Sequence, residues 1–305
     1  MTKPMTYHNP VLLNESVSGL NIKPDGIYVD VTFGGGGHSK AILNQLGKSG
    51  KLFAFDTDPD ALINQIDDVR FVLIPENFRF IKRFLRLHGI QQVDGILADL
   101  GVSSHQFDAA ERGFSTRFEG KLDMRMNPGS PLSAYEVVNQ YEESQLETVL
   151  NEYGELNQAK AMSKKIGIER AVKPIETTAD LKKVLQAFMP KGRENKVLAQ
   201  VFQAIRIEVN QELEVLKDFL LQVPELLSVE GRLSVISYHS LEDRLVKRFI
   251  RNGMFSGEPE RDIYGNFEVP LHKVGNMIVP NAAEIKTNSR ARSAKLRIAK
   301  KPKNE

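Results

Sequence analysis

Short apolar runs rich in Val, Ile and Phe alternate with stretches of helical period through the first hundred residues of this chain. The runs Ile27–Thr32, Leu52–Asp56, Phe71–Ile74 and Gly95–Leu100 read as strands, since brief apolar stretches suit strands buried on both faces. Between them Ser39–Leu46, Asp60–Ile66 and Phe78–His88 repeat their apolar positions at helical spacing. Strand and helix in alternation predict an α/β fold, a doubly wound, mostly parallel, Rossmann-like sheet. After Gly101 the rhythm breaks. Residues 102–131 are rich in Gly, Ser, Pro, Arg and Asp and have little period. From about Ser133 to Leu221 nearly everything reads as helix, including Leu146–Tyr153, Ala159–Arg170, Thr178–Phe188 and a long run from Glu194 into Phe219. Alternation resumes with a strand over Gly231–Tyr238, a helix over Leu241–Arg251 and a last strand near Ala294–Ala299; residues 252–285 are expected to be loop. The pattern therefore predicts an α/β domain over 1–105 and 215–305. An all-helical domain over 106–214 interrupts it between the fourth and fifth strands.

Ligands of such sheets sit outside the carboxyl ends of the strands. Those ends carry Gly34–Gly37, Asp56, Asn77 with Phe78, and Asp99. Four glycines in a row let the backbone turn sharply and pass close to a ligand. A carboxylate at the end of the second strand, Asp56, suits the two hydroxyls of a ribose. A dinucleotide asks for G-x-G-x-x-G, but its third position falls on Ser39 or Lys40. A nucleoside triphosphate asks for a lysine and Ser/Thr after a spaced glycine pair, and the order Gly-His-Ser-Lys is wrong for it. A nucleoside without a phosphate chain remains, and S-adenosylmethionine is the common one. The glycines also read simply as a tight turn. Asp56 and Asp58 also read as a metal-binding D-x-D, although Pro59 makes Asp58 a natural helix cap.

The composition, with 26% charged and 41% hydrophobic residues, is ordinary for a globular protein, and 305 residues can bury a full core. No stretch has the apolar length to cross a membrane, and the N-terminus lacks the apolar core of a signal peptide. The chain has no cysteine, which fits a reducing cytoplasm and leaves no thiolate metal site. Six scattered histidines show no metal-ligand spacing, so no metal is expected. Missing cysteine has a chemical consequence too. Methylation at carbon 5 of a pyrimidine needs a thiol to attack the ring, so a nitrogen or oxygen acceptor is left for any methyl transfer.

The net charge of +2 hides segregation. From Lys286 to Lys303 there are eight Lys or Arg residues and no acid. On the helix over Leu241–Arg251, Arg244, Lys247, Arg248 and Arg251 fall on one face, opposite Leu245, Val246, Phe249 and Ile250. Such a face reads either as solvated surface or as a seat for a polyanion, with Arg244, Lys247 and Arg248 as the candidate RNA contacts. Ser240 beside His239 invites a hydrolase reading, but there is no G-x-S-x-G elbow, and a helix cap by Ser240 with Asp243 accounts for the serine. Arg125 and Arg206 suit phosphate or structural ion pairs equally.

Seven blocks stand out: His8–Glu15 (HNPVLLNE), Thr32–Ser39 (TFGGGGHS), Asp99–Ser104 (DLGVSS), Glu111–Ser115 (ERGFS), Leu122–Met126 (LDMRM), Phe202–Arg206 (FQAIR) and His239–Arg244 (HSLEDR). In this order they resemble the bacterial 16S rRNA (cytosine-N4) methyltransferases. The resemblance runs nearly end to end. It implies methyl transfer from S-adenosylmethionine to the exocyclic amine of a cytosine in the decoding centre, with 16S ribosomal RNA, in the small subunit, as partner. The family's cofactor contacts fall on Gly36, Gly37, His38, Asp56, Phe78, Asp99 and Gln106. Gly36 and Gly37 would approach the methionine part, His38 would cap the next helix or meet the cofactor, and Phe78 would pack on the adenine or in the core. Gln106 would reach the methionine end. Asp99 is the candidate catalytic residue, because a carboxylate accepting a hydrogen bond from the amine orients its lone pair. Where amino-methyltransferases carry Asp-Pro-Pro-Tyr, this chain has Leu100, Gly101 and Val102 after Asp99, and no stacking aromatic. A cytoplasmic enzyme is expected, with a homodimer open to it. The other reading is a nucleoside-binding, RNA-binding module without catalysis.

Overall fold

A computed structural model of the chain describes residues 10–303. His8 and Asn9, at the start of the first family block, lie outside the described residues. The chain divides into two compact units. One comprises the residues up to Gly101 together with those from Leu213 onward, and the other is Val102–Glu212.

The first unit opens with α1 (Leu13–Gly19), β1 (Ile27–Asp30), α2 (Gly37–Leu43), β2 (Lys51–Phe55) and α3 (Pro59–Leu62), followed by β3 (Phe71–Ile74), α4 (Ile81–Leu87) and β4 (Val93–Asp99). The second unit holds α5 (Ser104–Asp108), α6 (Ala134–Gln140), α7 (Glu143–Glu152), α8 (Ala159–Val172), α9 (Thr178–Leu185) and α10 (Glu194–Asn210). The chain then returns to the first unit with α11 (Glu212–Leu226), β5 (Leu227–Ser237), α12 (Ser240–Asn252), β6 (His272–Ile278), α13 (Ala282–Thr287) and β7 (Lys295–Lys300).

The described strands form one sheet in the order β3-β2-β1-β4-β5-β7-β6. The first five pair in parallel, and β7 runs antiparallel to both β5 and β6. The strand order reverses between β1 and β4, which opens a crevice beyond their carboxyl ends. Side chains alternate across the sheet, so each strand serves two cores. Val29, Phe53, Phe55, Ile96 and Val235 pack on one face with Ile81 and Leu85 of α4, Phe219 and Val223 of α11, and Val246 and Phe249 of α12. Tyr28, Leu52, Ala54 and Leu97 point the other way, against Val17 of α1, Ile42 and Leu43 of α2, and Ala61 of α3. Burying a large aliphatic or aromatic side chain contributes about 1.5–3 kcal/mol, and these two faces carry most of the unit's buried apolar side chains.

The helical unit has a core of its own. Leu198, Val201, Phe202, Ile205 and Val209 of α10 recur at three- and four-residue spacing and pack with Leu146 and Leu150 of α7 and Met162 and Ile166 of α8. Some of its helices start on side-chain caps: Ser133 with Glu136 opens α6, and Thr177 with Asp180 opens α9.

Two expectations from the pattern need correction. The run from Glu194 into Phe219 is two helices, broken at Gln211 with φ of 50°. Glutamine gives no sign of a left-handed turn, so the break is invisible in the sequence. The segment 252–285 also contains β6, the sheet's outer strand. Most of its residues face solvent, so no apolar alternation marks it, and pairing to β7 defines it instead.

Candidate active site

The crevice edge is built from the ends of β1, β2, β4 and β5. Asp30, wholly buried at the end of β1, accepts from the Ser39 hydroxyl at 2.7 Å and from the Thr32 N–H at 3.1 Å. It thereby ties the glycine loop to the first turn of α2. Gly34 and Gly36 sit at φ of 50° and 73°, conformations that suit glycine. Gly37 is glycine for another reason. A Cβ there would lie 2.2 Å from Cγ of Pro10, so its missing side chain makes room for the chain itself. Gly37→Ala is expected to destabilise the fold by about 1–3 kcal/mol through overpacking. Urea unfolding measures this, and an unchanged midpoint would show that Pro10 yields freely.

Asp56, just past β2, accepts the Gly34 N–H on Oδ2 and the Asp58 N–H on Oδ1, both at 2.8 Å. Burial pushes its carboxyl up to about 6, against the pull of those two N–H groups and with a further push from the charges of Asp58 and Asp30. Asn64 closes the loop from the far side by donating to the Gly34 carbonyl at 3.1 Å. Asp58 accepts from the Asp60 N–H with Pro59 in the first helical position, so it is a helix cap. Among the described residues Asp56 has backbone donors and no cation partner. A carboxylate with that surround keeps lone pairs for hydroxyl donors.

Phe78 follows β3 in a short helical turn capped by Asn77. Its half-buried ring meets Phe219 edge-on, at 5.4 Å between centroids and 84° between planes. Phe78 thus packs against the core and keeps part of its ring exposed. His38 is buried on α2 without capping it. Its Nε2 stands 3.2 Å from the Val11 carbonyl, which can only accept, so Nε2 carries the proton. Its Nδ1 faces Asp99 Oδ2 at 3.8 Å.

Asp99 ends β4 with its side chain 23% exposed. Its own N–H donates to Thr32 Oγ1 at 2.7 Å, and its Oδ1 accepts from the Tyr238 hydroxyl at 2.7 Å. Burial pushes the Asp99 carboxyl up to about 6, while His38 and the Tyr238 hydroxyl pull it down. Burial, and then the Asp99 charge, hold the Tyr238 proton on well above the usual phenol range. Sequence reasoning missed Tyr238 and Asp30. Tyr238 follows β5, a neighbour of β4 only in the folded sheet, and meets Asp99 through its hydroxyl.

Gln106 belongs to the helical unit, where its Oε1 accepts the Ser103 N–H at 3.0 Å in a capping box on α5. Arg125 and Arg206 are held in two-pronged ion pairs, with Asp123 and Glu212. At the start of α12 the cap is His239 with Glu242, not Ser240 with Asp243. His239 Nε2 lies 3.2 Å from Glu242 Oε1, and neither ring nitrogen hydrogen-bonds Ser240, which removes the hydrolase pairing. Asp243 instead pairs with Arg297 and Lys295 of β7. Of the basic face, Arg244 and Lys247 are exposed, while the Arg248 guanidinium donates to the Gly257 carbonyl. Among the described residues no helix is long and apolar enough to cross a membrane.

The model of the MraW methylase family matches residues 5–302. Over 99% of this chain and 100% of the relative, the sequence is 66% identical to the ribosomal RNA small subunit methyltransferase H of Flavobacterium johnsoniae. The protein of that name from Christiangramia forsetii is 65% identical over 97% of this chain and 98% of its own. The one from Bacteroides thetaiotaomicron is 52% identical over the same shares of each.

Proposed function

Because the chain belongs to the MraW methylase family, we propose that it methylates the exocyclic N4 amine of a cytosine in the decoding centre of 16S ribosomal RNA, with S-adenosylmethionine as methyl donor. The small ribosomal subunit is the substrate in this reading, and the cytoplasm its location. The observation that carries the chemistry is the pair Asp56 and Asp99, two half-buried carboxylates raised to about 6 at the carboxyl ends of β2 and β4, on either side of β1. The absence of cysteine excludes the thiol-dependent route to carbon 5 and supports an amine as acceptor.

S-adenosylmethionine bound beyond β1 and β2 supplies an electrophilic methyl group on a sulfonium. The turn at Gly34–Gly37 lets the backbone approach it, Asp56 accepts its ribose hydroxyls, and Phe78 offers an apolar surface to its base. The cytosine amine is a poor nucleophile, because its lone pair is delocalised into the ring. Asp99, accepting a hydrogen bond from one N–H, turns that lone pair toward the methyl carbon and steadies the positive charge that grows on nitrogen. The methyl group would leave its sulfonium with the bonding pair kept on sulfur, and the methylated nitrogen would then carry one proton too many. Asp99 takes that proton and passes it to water. A carboxylate near 6 is a fitting acceptor, being ionised at neutral pH yet not strongly acidic. Tyr238 holds Oδ1 of Asp99, so Oδ2, which His38 Nδ1 faces at 3.8 Å, is the oxygen to meet the amine.

Incubation with labelled S-adenosylmethionine and small ribosomal subunits, followed by nucleoside analysis, tests the reading. Label in N4-methylcytidine is expected, and label elsewhere or none overturns it. Tyr238→Phe is expected to move the pH midpoint of single-turnover methylation upward from about 6, because the hydroxyl steadies the ionised carboxylate. A hydrogen bond to a charged group contributes about 1.5–3 kcal/mol, which sets the shift at roughly one unit or more. A midpoint that stays in place would mean the hydroxyl does not act through Asp99.

A further inference from the structure

Two surface cavities lie away from the crevice residues. The larger, about 390 Å³, is lined by Arg79, Lys82, Arg83 and Arg86 with Asp218. Most of its charge is already used: Arg79 pairs with Asp218, Lys82 and Arg86 share Glu225, and Arg83 lies over the Phe84 ring. The smaller, about 210 Å³, is a groove between α12 and β6. Ile250, Val274 and Ile298 form its floor, and Lys247, Arg251, Lys273 and Arg297 are the charged residues among its lining. No acid lines it.

The four cations differ. Arg297 is held by Asp243, at 2.7 Å from its Nε, and its other nitrogen reaches the Met277 sulfur at 3.5 Å. Burial alone would raise the Asp243 carboxyl, but Arg297 and Lys295 outweigh it and hold that group low, so the pair stays ionised. Lys247, Arg251 and Lys273 are exposed and have no carboxylate partner among the described residues; Arg251 and Lys273 touch only the side-chain oxygens of Asn252 and Asn276. An apolar floor with three uncompensated cations on its rim matches one chemistry closely, a base flanked by phosphates. The exposed outer strand also invites a β-strand partner, yet its register with β7 slips between Val274 and Ile278, around Gly275 at φ of 65°. A bulge of that kind, beside a lysine, blunts an edge against strand addition.

We propose that the groove between α12 and β6 binds single-stranded RNA, seating one unstacked base on Ile250, Val274 and Ile298 while Lys247, Arg251 and Lys273 hold the flanking phosphates. The proposal rests on RNA being the substrate and adds a second foothold apart from the methyl-transfer crevice. It also redraws the contact set suggested by the helix face alone. Arg248 is turned to the Gly257 carbonyl, and Lys273, on a strand the sequence did not reveal, takes a place on the rim.

The test is filter binding of a single-stranded oligocytidylate to the full chain across a salt series, with methyl transfer to small ribosomal subunits measured in parallel. Each cation that neutralises a phosphate contributes about 0.7 to the slope of log affinity against log salt on a single strand. The triple variant Lys247→Ala, Arg251→Ala, Lys273→Ala is therefore expected to lose about 2 from that slope. The charge-keeping pair Lys247→Arg, Lys273→Arg is expected to retain it, which separates charge from folding. Normal methyl transfer by the wild type with an unchanged slope in the triple variant overturns the groove and leaves the functional reading intact. A reduced slope without methyl transfer by the wild type upholds the groove and overturns that reading. An unchanged slope together with altered sedimentation of the triple variant assigns the face to a second copy of the chain and overturns the RNA assignment.

Discussion

Asp99→Asn is expected to slow single-turnover methylation by roughly 10²–10³-fold at saturating S-adenosylmethionine, the loss that follows removal of one group acting on transition-state charge. The amide keeps the shape of the carboxylate and still accepts from Tyr238, so the strand end should stay as it is. What it loses is the ability to balance positive charge on the amine and to take its proton. Cofactor affinity should change little, because the effect lies in the transition state. In the wild type the same rate should fall as pH drops through about 6, where Asp99 takes up a proton. Stability should move the other way. A carboxyl raised in the fold above its ordinary value disfavours folding when ionised, and that cost is fully present above about 6 and vanishes as pH falls below the unfolded value. Asp99→Asn should therefore be slightly more stable than the wild type at neutral pH, an instance of a site kept at the expense of stability. Rapid-quench kinetics and urea unfolding at pH 5 and 8 read both. A near-normal rate would return Asp99 to a structural or cofactor role.

The parts of this molecule that sequence reveals are those where one stretch of chain carries its own explanation. Tyr28 and Val29, and Leu52 through Phe55, form unbroken apolar runs because each strand is buried on two faces, and the turn at Gly34–Gly37 announces itself through its missing side chains. Asp56 and Asp99 stand out as carboxylates closing apolar strands, and the structure places both at the carboxyl edge of the sheet. What escaped depends on partners distant in sequence. Tyr238 reaches Asp99 only because β5 lies beside β4, across the whole helical unit in sequence. Gly37 is explained by Pro10, and β6 by its pairing to β7 rather than by any apolar pattern. Arg248 looked like its neighbours on a helical wheel, yet a carbonyl from the following loop claims it. Even Asp30, at the end of a strand that was read correctly, went unnoticed, since its partners Thr32 and Ser39 are too ordinary to draw notice.

Asp56→Ala is expected to weaken S-adenosylmethionine binding by about 1.5–3 kcal/mol, the range for hydrogen bonds to a charged group, which is roughly 10- to 150-fold in Kd. Ribose contacts are alike in the ground and transition states, so the loss should appear in affinity and leave the rate at saturation near normal. The pH dependence supplies a sharper signature. Hydroxyl donors favour the ionised carboxylate, whose pKa without ligand is about 6. Binding to that form must pull the pKa down, so wild-type affinity should be flat above about 6 and weaken as pH falls below it, at most tenfold per unit. In Asp56→Ala that decline should disappear, with the two curves converging toward low pH. Substitution also frees the N–H groups of Gly34 and Asp58, so some loosening of the glycine loop is expected, and Asp56→Asn, which keeps an acceptor for one of them, separates this from the loss of charge. The asparagine variant should bind more tightly than alanine, more weakly than the wild type, and with the same flat pH profile. Isothermal titration calorimetry at pH 5, 6, 7 and 8 makes the comparison. A wild-type affinity that does not change across that range would place the ribose elsewhere on the sheet edge, whatever the alanine variant did.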